Sequence, residues 1–127
     1  MANKNTWYDA GYVNFTTAAA ITKYQAVKLS AANTVDVAGA GESAIGICMQ
    51  ATASGSEAPV KLLSAPGTFP CIAAGEIAAL APVYTAALGK VNDDQTGSGA
   101  ILGYAKSAAA ADGDAVEVIR EWVVAST

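Results

Sequence analysis

The sequence predicts an all-β fold: a small β-sandwich or barrel built of two related meander halves behind an extended N-terminal arm. Three observations lead there. The apolar runs are of strand length and rich in Val and Ile. Gly and Pro punctuate them at regular spacing. Helical periodicity is weak throughout. The Ala runs at 18–20 and 108–111 favour helix by propensity, but both are short and the second runs into Asp112 and Gly113. With 127 residues the chain is long enough for one core and too short for two. The expectation is an arm over residues 1–10 and a single β domain over 11–127.

Residues 11–17, GYVNFTT, alternate, with Tyr12, Asn14 and Thr16 on one face and Val13 and Phe15 on the other. A connection, 18–25, follows. AVKLS (26–30) and TVDVA (34–38) then form a hairpin, with Val27, Leu29, Val35 and Val37 as inward candidates. The stretch 43–63, SAIGICMQATASGSEAPVKLL, reads as strand, turn and strand about Ser54-Gly55-Ser56. Gly46 within it marks a bulge or a close backbone approach. Pro66-Gly67 is a turn, and Phe69-Pro70-Cys71-Ile72 a short strand with its proline on an edge. Residues 73–82 read as an irregular crossover. Strands follow at 82–86, near Val91, from Ile101 and over 115–125. The last carries apolar residues on both parities, which predicts cover on both faces over part of its length.

An echo runs through the chain. Ile21, Ala26-Val27, Val35 and Ile45-Gly46 parallel Ile77, Pro82-Val83, Val91 and Leu102-Gly103 at an offset of about 56–58 residues. The pseudo-repeats span about 21–63 and 77–120, and two units too small to close separate cores are expected to share one.

Composition excludes several classes of function. There is no histidine, so the commonest general base and metal ligand are both missing. Net charge is −4 with seven basic residues spread thinly, a poor basis for phosphate contacts. Charged residues make up 14%, against about 25% in ordinary domains. Surface covered by partner subunits explains that, and so does the weight of Ala and Gly. Cys48 and Cys71 each lie in an apolar run with no CxxC spacing. They read as buried thiols, with a single disulfide as the alternative. The N-terminus lacks an apolar signal segment, and the uncharged stretch 77–89 is short for a membrane span and holds Pro82. A cytosol-like site of synthesis, no membrane and no nucleic acid are expected.

Candidate chemistry is sparse. Residues 92–103 match the opening of a calcium loop at Asn92, Asp94, Thr96 and Gly97, but the twelfth position is Gly103. Asp112-Gly113-Asp114 is turn chemistry. Ser54 and Ser56 have no base, and Gly39-Ala40-Gly41-Glu42 lacks the spacing of a phosphate loop. Lys23, Lys28 and Lys61 read as solvated strand-face charges. No catalytic residue, metal or cofactor is expected. Four of the nine aromatics, Trp7, Tyr8, Tyr12 and Phe15, fall in the first fifteen residues. Behind a polar tip they read either as core or as anchors for a partner.

The order ITKYQAVKLS, AGAGESAIGICMQATASGSEAPVKLL, APVYTAALGKV and AILGYAKSAAAADGDAVEVI, after a first strand ending in Thr16-Thr17, resembles the capsid cement, or head decoration, proteins of tailed bacteriophages. The resemblance covers residues 11–120; the aromatic pair Trp7-Tyr8 departs from the pattern. It implies a non-enzymatic structural protein on the outer capsid surface of a virion, made in the host cytoplasm. Its partners would be the major capsid protein, whose neighbouring subunits it bridges, and further copies of itself, as a trimer or alternatively a dimer. The interface candidates are Trp7, Tyr8, Tyr12, Phe15 and Trp122. The alternative is a carbohydrate- or host-surface-binding β module on the virion. The sparse mid-chain aromatics, Tyr24, Phe69, Tyr84 and Tyr104, weigh against it.

Overall fold

A computed structural model describes residues 11–65, 67–93 and 101–120. Among the described residues the fold is all-β, ten strands in two five-stranded units. The first unit holds β1 (Tyr12–Thr17), β2 (Ala26–Ala31), β3 (Thr34–Val37), β4 (Gly46–Cys48) and β5 (Glu57–Leu62). They close into a barrel in the order β1-β3-β2-β4-β5, with β1 antiparallel to β5 and parallel to β3. The second unit holds β6 (Thr68–Ile72), β7 (Pro82–Thr85), β8 (Val91–Asn92), β9 (Ile101–Ala105) and β10 (Ala115–Ile119), ordered β6-β10-β9-β7-β8.

Both units follow one plan. Read from β3 and from β8, the two orders are the same, and a parallel bridge between Ala73 and Val91 stands where Thr17 pairs with Val35. The bridges Ile21–Thr52 and Ile77–Ala109 correspond. So do the turns at Gly55 (φ 83°) and Gly113 (φ 94°), whose N–H groups donate to Thr17 O and Ala73 O. Strand order departs from a meander: β4 lies beside β2, not β3. The connection 38–45 therefore passes the end of the hairpin. Short apolar strands specify that they pair, but not with which neighbour.

Alternation sets the cores. Inward residues Val27, Val35, Cys48, Ala58 and Val60, with Ile21, fill the first barrel. Phe69, Cys71, Val83, Val91, Leu102, Val116 and Val118 form the core of the second unit, a five-stranded sheet. The single shared core expected from the sequence is thus two clusters, because the first unit closes on its own interior; the second core also takes in Ala26, Ala38 and Ile47 of the first unit, so the two units are packed as one body. In β10 the cover is one-sided: Val116 and Val118 are buried, while Glu117 and Ile119 are half-buried. Residues beyond Arg120 lie outside the described part, as do the loop residues 94–100 and the arm, 1–10.

Two single-residue expectations are corrected as well. Leu29 is not inward but 53% exposed: it keeps the parity of Val27, but β4 pairs with β2 only at Ala26 and Val27, so the end of β2 runs past the strand that would cover it. Lys61 is not a solvated charge: it is 6% exposed, since its face of β5 is the one covered by the second unit. Lys28 is half-buried and paired with Glu42 at 2.7 Å, and Lys23 is exposed with its ammonium over the Tyr24 ring.

Both cysteines are free and buried, and no disulfide joins them. Burial pushes the Cys71 thiol up to about 12. Titration with an aromatic disulfide reagent is expected to find both thiols unreactive in the native protein and both reactive in denaturant.

Candidate docking surface

Among the described residues no group of three or more His, Cys, Asp or Glu is placed to hold a metal ion. What the fold builds instead is a polar seam where the units meet. On β5, Lys61 stands opposite Tyr12 of β1. Its ammonium lies 4.4 Å from the centre of the Phe69 ring and 5.9 Å from that of Tyr12, and it donates to the Thr68 carbonyl. The Thr68 hydroxyl donates to Glu117 on β10, and Glu117 pairs with Lys106 at 3.1 Å. Beside the seam lies a groove of about 460 Å³ lined by Tyr24, Thr68, Pro70, Ser107, Ala115, Val116 and Glu117. Sequence gave no sign of this seam. In β5 a lysine between apolar residues has the same pattern whether its face meets water or a second unit.

The Thr68 hydroxyl and then the Lys106 ammonium hold the Glu117 carboxyl below its ordinary value of 4.5. Lys28 and the Gly39 N–H lower Glu42 likewise. A lowered folded-state value means stabilisation that is complete above the unfolded value and is lost as pH falls through the folded one. Urea midpoints are therefore expected to stay level from about pH 7 to 5 and to fall from about pH 5 to 3. Glu117→Gln is expected to remove part of that fall.

Of the interface candidates, Tyr12 is 40% exposed on the outer face of β1. Phe15, on the opposite face, is half-buried against the first barrel's core. Trp7, Tyr8 and Trp122 lie outside the described residues. β1 pairs with β3 only at Thr16 and Thr17. Along Tyr12–Phe15 its second edge carries no strand among the described residues, and such an edge can accept one.

No protein-family model matches the chain, and no curated protein matches it. Among solved structures, its fold is similar to the crystal structure of the N base of head fiber gp8.5 in bacteriophage phi29. The TM-score is 0.72 at 14% sequence identity, and the match covers 87% of this chain and 92% of that one. At that identity the shared property is the all-β fold, held over nearly the full length of both chains.

Proposed function

We propose that the chain is a structural protein of a phage virion, docking on the outside of the head and bridging major capsid subunits. The observation that carries this reading is the fold shared over 87% of this chain with a protein described as part of a phage head fiber. The resemblance of residues 11–120 to capsid cement proteins supports it independently. The chain's chemistry agrees, with no histidine and few charges. Docking uses Tyr12 and the open edge of β1, with Trp7 and Tyr8 just before them in the chain.

The mechanism is linkage. A protein that binds only the mature lattice stabilises it by mass action, by about 2.7 kcal/mol per site at a free concentration one hundred times Kd. An oligomer touching several capsid subunits gains avidity without new contacts.

Purified chain mixed with mature heads of the phage that encodes it is expected to co-sediment saturably and to raise their melting temperature. Trp7→Ala combined with Tyr8→Ala is expected to keep the circular dichroism spectrum and lose most of the co-sedimentation. Failure of the unaltered chain to bind heads would overturn the reading.

A further inference from the structure

The groove beside the seam draws on both units. Tyr24 reaches it from the turn before β2; Thr68 and Pro70 come from β6, Val116 and Glu117 from β10, and Ser107 from just after β9. About 460 Å³ of space walled by two packed units is a usual setting for a small-molecule site. The lining divides by chemistry. The Tyr24 ring, Pro70 and the buried Val116 are apolar, whereas Thr68, Glu117 and the exposed Ser107 are polar. The Thr68 hydroxyl donates to one Glu117 oxygen, and the Lys106 ammonium to the other at 3.1 Å. A carboxylate accepts about four hydrogen bonds, so among the described residues Glu117 keeps room for about two more.

The duplication supplies an internal comparison. Glu117 stands opposite Pro70 across β10 and β6; at the matching place in the first unit Pro59 stands opposite Asn14. Tyr24 and Leu80 hold the same turn position, each at positive φ with its N–H on a strand carbonyl. The shared fold therefore asks for neither the carboxylate nor the aromatic ring, yet both stand at one groove.

We propose that this groove binds a pyranose sugar, its apolar ring face against Tyr24 and Pro70 and its neighbouring hydroxyls on Glu117, Lys106 and Ser107. Each sugar hydroxyl donates one hydrogen bond and accepts others. Glu117 and Lys106 set an acceptor and a donor side by side, the complement of two adjacent hydroxyls, and both bonds are charge-assisted. One side of a pyranose is a patch of C–H groups, which suits the apolar body of a tyrosine. The exposed Lys23, its ammonium 4.9 Å from the centre of the Tyr24 ring, is a further donor at that wall. An anion meets the Glu117 carboxylate here and a cation meets the Lys106 ammonium, so a neutral, hydroxyl-rich ligand is the class that both groups admit. One aromatic ring at the groove fits one sugar residue, not a long chain.

The proposal concerns the chain by itself and does not rest on the proposed attachment to a phage head. Titration of the isotope-labelled full chain with methyl β-glucoside, methyl β-galactoside and N-acetylglucosamine, followed by its amide resonances, tests it. At least one of the three is expected to shift the Thr68, Ser107, Val116 and Glu117 resonances saturably in the millimolar range. Glycerol, which has adjacent hydroxyls but no ring face, is expected to leave them in place. Tyr24→Leu and Glu117→Gln are each expected to weaken binding about tenfold while keeping the circular dichroism spectrum. Leu80 shows that the turn accepts leucine. Ser107→Ala, at an exposed residue, replaces Glu117→Gln if the latter alters the spectrum, and is also expected to weaken binding. Resonances that none of the three sugars moves, equal shifts from glycerol, or variants that bind as the unaltered chain does would each overturn the proposal.

Discussion

Phe69→Ala is expected to lower the unfolding free energy by about 3–5 kcal/mol, the range for emptying a buried aromatic site. A single domain has about 5–15 kcal/mol in total, so the variant stands near the edge of folding. Among the described residues Phe69 is the largest fully buried side chain; it pairs with Val118 across β6 and β10 and lies under the Lys61 ammonium at the junction of the units. Its loss opens a cavity in the second core and removes the ring that faces a buried cation, a contact worth about 2 kcal/mol when desolvated. Urea unfolding followed by circular dichroism measures the change. Phe69→Leu, which keeps part of the volume, is expected to lose less. A cycle with Lys61→Met isolates the ring–ammonium part, expected at about 0.5–2 kcal/mol.

Gly46→Ala and Gly103→Ala are expected to cost about 1–3 kcal/mol each, as overpacked sites do. A Cβ on Gly46 would lie 2.4 Å from Lys61 O and 2.6 Å from a Val60 methyl; on Gly103, 2.6 Å from Ile119 O and 2.7 Å from a Val118 methyl. The neighbours are strand backbone and β-branched side chains, which cannot swing aside. Gly75→Ala is the control, since a Cβ there meets nothing within 4 Å, and its effect is expected within about 0.5 kcal/mol. Equal costs at Gly46 and Gly103, read from the same urea transitions, would show that the two units use this glycine for the same purpose. A neutral Gly103→Ala would contradict the equivalence.

Gly46 shows how much of the fold was legible. A glycine inside a strand, with an Ile-Gly echo repeated as Leu-Gly, signals a close backbone approach, and both positions have one. Strand positions were also legible, because alternation is local. Strand order was not: whether β4 lies beside β2 or β3 depends on the path of the connection, and no residue in 38–45 fixes that path by itself. Tyr24 and Leu80 both adopt positive φ, 71° and 67°, which bulky side chains seldom signal in advance. Each presents its N–H to a strand carbonyl, Cys48 O or Ala105 O, and the hydrogen bond helps hold the turn. Lys61 and Leu29 were misjudged for one shared reason. Period-two alternation separates the faces of a strand, but it does not say which face another unit covers or where a barrel ends. Of the aromatic-rich start of the chain, the described part holds Tyr12, 40% exposed on β1, and Phe15, half-buried on the other face, a split that the alternation of 11–17 predicts.

Electron cryomicroscopy of the phage particle proposed to carry this protein tests the central claim most directly. The expected result is density matching the paired five-stranded units on the outer surface of the head, touching more than one capsid subunit. A particle that lacks this density, or that holds the protein only inside the shell, would contradict it.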